Sequence, residues 1–158
     1  MGNSPIEEYR ATADWPYHIS SGGIVFRVRD AALEILVLYR NEPDGKHYHL
    51  PKGTLHHDET LEDCARREVA EESGATAEII GYLGALQQEY TWKGLFHDQT
   101  KHYFAMEFRE MVREHDDEHD GTEWQSLDIA RENLAKTEPN KQEFLILDRL
   151  EKFLQLTK

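Results

Sequence analysis

Cysteine is nearly absent from this chain of 158 residues: Cys64 stands alone, so no intrachain disulfide can form. A reducing, cytoplasmic setting is the simplest reading of that usage. Cys64 falls in mid-helix beside an apolar stripe and reads as packing rather than as a nucleophile. Long apolar runs are missing too, and no signal-peptide pattern is visible, which leaves no candidate for a membrane span. Met1-Gly2 has the start of a myristoylation signal, but Ile6 stands where that signal needs Ser or Thr. Basic residues are scarce: 18 Lys and Arg face 31 Asp and Glu, a formal charge of −13. That balance disfavours anionic membranes and extended nucleic acid as partners. A polyanionic substrate would need metal ions and a few local basic residues to overcome the repulsion. Internal repeats and interdomain linkers are also lacking.

What is present reads as one mixed α/β unit, residues 18–158, behind a polar N-terminal arm over 1–17. Ile24 to Arg29 and Ile35 to Tyr39 predict strands joined by a hairpin turn at Asp30-Ala31-Ala32, the second apolar enough for burial on both faces. Glu42 to Lys46 is a loop, and His47 to Leu50 a short strand stopped by Pro51. Lys52 to Glu59 leads as a loop into a helix, with Thr60 and Asp63 spaced as a cap and Gly74 at the end. Residues 76–92 and 100–110 predict two long strands around a 92–99 connection. An acidic loop, 114–121, precedes a short strand at Trp124–Leu127. Helices are expected over 128–134 and 140–156.

The helix after Thr60 carries Arg67-Glu68-Val69-Ala70-Glu71-Glu72. A charge run on a helix is ordinarily a solvated face. At about 100° per residue, however, Leu61, Ala65, Glu68 and Glu72 share one stripe, flanked by Val69 and Glu71, while Glu62, Arg66 and Ser73 lie towards the other side. Carboxylates therefore continue a stripe that begins apolar. Close like charges repel, and burial raises their pKa values. A divalent cation resolves both problems, and oxygen ligands suit Mg²⁺ or Mn²⁺.

The spacing around that helix is specific. Gly53 is followed by five residues and Glu59, then seven and Arg67-Glu68, an aliphatic residue, any residue, Glu71-Glu72, any residue, Gly74 and Ala75. This resembles the Nudix box at every fixed position. The resemblance implies an α/β/α sandwich around a mixed sheet and Mg²⁺-dependent hydrolysis of a nucleoside diphosphate linked to another moiety. It implies Glu68, Glu71 and Glu72 as metal ligands, with Glu68 or Glu72 orienting the attacking water. It also implies the Gly53 backbone near a metal, Arg67 in support of the carboxylates, and Glu59 and Gly74 as structural positions. Arg67 can also hold Glu71 by an i,i+4 pair.

The flanks bear on substrate. Pro51-Lys52-Gly53 is similar to the loops of diadenosine polyphosphate and diphosphoinositol polyphosphate hydrolases, where Lys52 would place charge on a phosphate chain. Lys101-His102-Tyr103-Phe104 resembles a region of asymmetrical diadenosine tetraphosphate hydrolases in which the Tyr stacks on adenine; Lys101 and Tyr103 are binding candidates on that ground. A strand Tyr is otherwise core or cross-strand packing. Tyr90 stands near a Tyr of the same group. Glu118-His119, followed by Trp124, resembles a loop in which a Glu reaches the metal, with Glu123 as competitor to Glu118. Tyr48 stands where the relatives carry Trp and can serve as a wall, and His49 or His102 can approach phosphate. Asp58 replaces a Gly of the related loops, which alters backbone freedom near the helix start. The nine histidines carry no Cys pattern or His-Glu-x-x-His arrangement, so a dedicated zinc site is not expected.

The leading expectation is hydrolysis of a diadenosine polyphosphate to ATP and a mononucleotide, by a monomer or homodimer. Inositol pyrophosphate or RNA 5′-end hydrolysis are the alternatives, and a non-hydrolysing nucleotide-binding regulator is the alternative from another class.

Overall fold

The computed structural model describes residue 12, residues 16–137 and residues 142–156. The predicted N-terminal arm lies almost wholly outside the described residues, as does the expected start of the last helix at Asn140. Tyr17 already belongs to a strand.

Among the described residues, ten elements follow one another: β1 (Tyr17–Arg29), β2 (Ala32–Glu42), β3 (Gly45–His49), β4 (Lys52–Thr54), α1 (Leu61–Ser73), β5 (Ala75–Trp92), β6 (Leu95–Met111), β7 (Gly121–Ser126), α2 (Leu127–Thr137) and α3 (Phe144–Leu156). The seven strands form one mixed sheet with the path β3-β2-β1-β6-β5; β4 pairs with β1, and β7 with β2. β1 and β6 run parallel, from Tyr17 opposite Asp98 to Phe26 opposite Glu107.

The architecture is the expected sandwich of helices around a mixed sheet. Alternation along the central strands explains it. Val25, Leu36, Phe104 and Met106 pack on one face with Ala65 and Val69 of α1. Their neighbours Ile24, Ile35, Val37 and Ala105 pack on the other, with Ala130 and Leu134 of α2 and Ile146, Leu147 and Leu150 of α3. Both faces of Ile35–Leu38 are thus buried, as the run of apolar residues requires.

Local chemistry sets the boundaries. Asp30 and Ala31 take φ of 52° and 64°, a tight hairpin turn of left-handed residues. Thr60 accepts the Asp63 amide at 3.0 Å, and Gly74, at φ 81°, closes α1 by donating to the Ala70 carbonyl at 3.0 Å. A side chain at Gly74 would also strike the Arg113 carbonyl at 2.1 Å.

Three sequence expectations change. The Lys52–Glu59 loop contains β4, too short for periodicity to reveal, whose Lys52–Thr54 pairs with Ser20–Gly22. The 92–99 connection is a two-residue turn at Lys93-Gly94, so the β5–β6 hairpin runs on to Trp92 opposite Leu95. Ser73 is buried rather than turned outward, because its hydroxyl donates to the Val69 carbonyl at 2.6 Å and needs no solvent.

Candidate functional site

α1 brings its carboxylates to the edge of β4 and the 112–120 loop. Arg67 organises the first part. Its guanidinium donates to both oxygens of Glu59 at 2.7 and 3.0 Å, to Glu68 at 2.7 Å, to Glu71 at 3.2 Å and to the Thr54 carbonyl at 3.1 Å. The i,i+4 pair with Glu71 exists but is the longest of these carboxylate contacts. Glu59, at the helix approach, is the one partner bonded through both oxygens: against the penalty of its burial, Arg67 and the His56 amide hold its carboxyl below the usual range. The fork-shaped, always charged guanidinium suits this role.

Glu68 is 7% exposed and lies directly over Gly53. A Cβ at Gly53 would sit 2.1–2.3 Å from the Glu68 carboxyl atoms, so the missing side chain there admits this carboxylate. Glu71 is exposed and points along the surface to Arg67. Glu72 turns the other way: its Oε1 accepts the Lys52 amide at 2.7 Å. Burial pushes its carboxyl up to about 8; the Lys52 amide opposes this, and the charges of Glu68 and Asp116 reinforce it.

Among the described residues, one group of potential ligand atoms converges within 4.8 Å, from Glu72, Asp116, Glu118 and His119. The loop folds back on the helix end, with the Asp116 amide 3.4 Å from the Glu72 carbonyl. His119 is buried, its Nδ1 lies 3.0 Å from Asp116 Oδ1, and its ring packs edge-on against His49 at 5.8 Å. The expected set is therefore brought together in part. Glu72 and Glu118 meet, whereas Glu68 and Glu71 are drawn to Arg67. Glu123 drops out as the competitor: it pairs with Val37, on the opposite face of the sheet, and binds Lys46 at 2.7 Å.

Does this site fit a divalent cation? A carboxyl held at about 8 beside two further acids lacks positive charge. A donor set of three carboxylates and one imidazole, with Glu68 nearby, is one that Mg²⁺ or Mn²⁺ can use. The residues fit.

Asp116 and His119 were missed as site members because irregular loops carry no periodicity; the density of acids around Glu118 was the available signal.

The substrate-binding candidates separate. Lys52 flanks the site, its amide on Glu72 and its charge felt by His18. His49 faces the cluster. Tyr48 lies half-buried against the α2–α3 core, its ring 6.4 Å from Tyr39. Tyr103 is a correction: it is 0% exposed and part of the core, so its ring offers no open face for a base. Lys101 shares that face and is equally buried, donating to Gln88 at 3.3 Å. Strand alternation turns both inward and leaves His102 on the α1 side, bonded to Tyr82 at 2.7 Å.

An aromatic group does surround Tyr90. The His97 ring lies parallel to it at a centroid distance of 4.8 Å, with His18 and Trp92 against His97 at 5.5 and 6.3 Å. Both His97 nitrogens are buried without a hydrogen-bond partner. His18 in this group feels the Lys52 charge.

Known proteins resemble this chain in sequence and in fold. Nudix hydrolase 4 of Arabidopsis thaliana is 35% identical over 98 residues, 62% of this chain and 47% of that protein. The chain spans less than half the length of the curated relatives it matches. In fold it is similar to the Ap4A hydrolase of C. elegans seen in a binary complex, at 21% identity and a TM-score of 0.61, over 87% of this chain and 98% of that one. It is likewise similar to the Nudix domain of Shewanella oneidensis NrtR complexed with ADP ribose, at 15% identity and 0.67, over 87% and 88%. No described helix is long and apolar enough to cross a membrane. With the NUDIX domain matched from residue 16 to residue 147, the chain belongs to the Nudix family.

Proposed function

We propose that this chain is a metal-dependent pyrophosphohydrolase that cleaves a nucleoside diphosphate linked to another moiety, with dinucleoside polyphosphates as the favoured class. The observation that carries the reading is the convergence of Glu72, Asp116, Glu118 and His119 beside the Arg67-organised carboxylates and Lys52. Bound there, Mg²⁺ or Mn²⁺ would neutralise charge on the phosphate oxygens and lower the pKa of a bound water. Glu72, Glu118, Asp116 and His119 would hold it, with Glu68 and the Gly53 backbone within reach and Glu71 at the rim.

The chain's own groups divide the remaining work. Lys52 receives a phosphate of the substrate. Glu68 or Glu72 orients the attacking water by accepting its proton. Arg67 keeps Glu59 ionised and holds both Glu59 and Glu68 in place, and so supports the reacting groups without touching them.

The polyphosphate preference draws on Pro51-Lys52-Gly53 and on Tyr90. With Tyr103 in the core, the flat surfaces of Tyr90, Trp92 and His97 are the better platform for a base, beside His18, which feels the Lys52 charge. The fold shared with an Ap4A hydrolase is compatible with this preference and does not choose among substrates.

A panel of diadenosine polyphosphates, ADP-ribose, inositol pyrophosphates and capped RNA ends, incubated with Mg²⁺ and read by product chromatography, tests the proposal. ATP and a mononucleotide from diadenosine tetraphosphate are expected. Turnover confined to inositol pyrophosphates or RNA ends would overturn the substrate class. Tight nucleotide binding without hydrolysis at any Mg²⁺ or Mn²⁺ level would overturn the enzyme reading.

A further inference from the structure

Glu143 immediately precedes α3, and its carbonyl accepts the Ile146 amide at 3.0 Å. Opening a helix does not require burial, yet Glu143 is 4% exposed. A buried carboxylate is unfavourable unless it accepts hydrogen bonds. Its Oε2 accepts the Leu50 amide at 3.2 Å, from 93 positions away in the sequence. The Tyr103 hydroxyl faces the same carboxylate across the core, without a hydrogen bond of ordinary geometry.

Leu50 leads directly into Pro51 and Lys52, and both are anchored in turn. The Pro51 carbonyl accepts the Gly23 amide at 3.1 Å, and the Lys52 amide donates to Glu72 at 2.7 Å. Three successive residues are thus held from three sides: by Glu143 at the start of α3, by Gly23 of β1, and by Glu72 of α1. Pro51 fixes its own φ, so a displacement at Leu50 passes to Lys52 rather than dissipating. Nothing beneath gives way either. A Cβ on Gly22 would lie 2.1 Å from the Pro51 oxygen and 2.5 Å from Lys52 Cβ.

We propose that Glu143 is a positioning residue for the site: by holding the Leu50 amide it fixes Pro51 and Lys52, and through the Lys52 amide it aims the Glu72 carboxylate. The inference rests on the reading of Glu72 as a metal ligand and Lys52 as a phosphate contact. Glu143 touches neither metal nor substrate and acts only through this segment.

Two variants separate the roles. Glu143→Gln keeps an oxygen to accept the Leu50 amide, whereas Glu143→Met keeps much of the volume and removes the acceptor. Mn²⁺ affinity by electron paramagnetic resonance and amide exchange by NMR are measured on the full chain. Glu143→Met should weaken Mn²⁺ about 10- to 100-fold, the range for a lost supporting contact. It should also speed exchange at Leu50 and Lys52, leaving the β2–β7 ladder protected. Glu143→Gln should stay close to wild type in both. Unchanged exchange and affinity in Glu143→Met, or equal losses in both variants, would overturn the proposal. A wild-type chain that fails to bind Mn²⁺ would remove the metal reading, while exchange at Leu50 and Lys52 still decides whether Glu143 fixes the segment. Should Glu143→Met not fold, Gly22→Ala pushes the same segment from β1 and must reproduce both the weaker Mn²⁺ binding and the faster Lys52 exchange; wild-type values there would also overturn it.

Discussion

Replacing Glu72 by Gln should stabilise the metal-free protein at alkaline pH while abolishing its response to metal. Burial, the Glu68 charge and the Asp116 charge together hold the Glu72 carboxyl at about 8, against 4.5 for an ordinary Glu. A carboxyl raised on folding favours the folded state fully below the unfolded value, and that contribution is lost as pH rises through the folded value. Metal-free stability should therefore decline from about pH 4.5 to pH 8 and level off beyond. At about 1.4 kcal/mol per pH unit across that window, the ceiling is about 5 kcal/mol. Gln removes the charge and keeps an oxygen for the Lys52 amide, but it buries an amide NH₂ that must find a partner, at about 1–3 kcal/mol. The expected net gain is about 2 kcal/mol at pH 8, a rise of about 4–8 °C in Tm for a domain of this size. Near pH 5 the charge contribution falls to under about 1 kcal/mol, because the folded and unfolded states then differ little in bound protons, and the buried amide leaves the variant no more stable than wild type. Thermal unfolding with EDTA at pH 5, 6, 7 and 8 measures the trend. Added Mg²⁺ should raise the Tm of wild type but not of the variant, since a ligand stabilises only the state that binds it. A variant equal to wild type at pH 8 in EDTA, or one that Mg²⁺ stabilises as strongly, would refute the reasoning.

Gly53→Ala forces a methyl group to within 2.1–2.3 Å of the Glu68 carboxyl; hydrolysis should fall by roughly 10- to 100-fold, as for lost support of a metal ligand, and unchanged steady-state rates would show that Glu68 can move aside freely. Tyr90→Leu should raise KM with little effect on kcat, by the equivalent of about 1–3 kcal/mol for one base–aromatic stack, whereas Tyr103→Leu should lower stability and leave the KM of the folded protein alone; the reverse pattern would restore Tyr103 as the base platform. Ala31→Gly should stabilise the fold by about 0.5–1 kcal/mol, because Ala31 holds a φ of 64° that an L side chain resists, and denaturant titration showing a loss would place the strain elsewhere in the hairpin.

The helix was legible because its determinants are local. Thr60, Asp63 and Gly74 mark its ends within one or two turns, and the 3.6-residue period fixes which carboxylates share a face. Strand faces were less so. Tyr103 sits in a motif that resembles a base-stacking region, and that likeness carries no information on burial. Its own period of two puts it with Lys101 and Ala105 on a buried side. That alternation was available in the sequence, but which face α3 would cover was not. The exchange between Glu118 and Glu123 is the same problem: five residues apart, they differ in that Glu123 enters β7 opposite Val37 while Glu118 stays in the loop.

Asp58 shows how an L residue can occupy a position where the related loops carry Gly. The Gly there supplies backbone freedom close to the helix start. Asp58 takes φ 67°, a left-handed conformation that is readily open to Gly. Asp tolerates that region better than most L residues because its short side chain can bond locally. The helix approach is well held: two residues before it, His56 donates its amide to Glu59, and Glu59 meets Arg67. What Asp58 adds is a charge exposed on the loop. Substrate discrimination at this edge should then respond to the sign of residue 58 rather than to its backbone, so that Asp58→Asn, which keeps the tolerance and removes the charge, is the more informative exchange than Asp58→Gly.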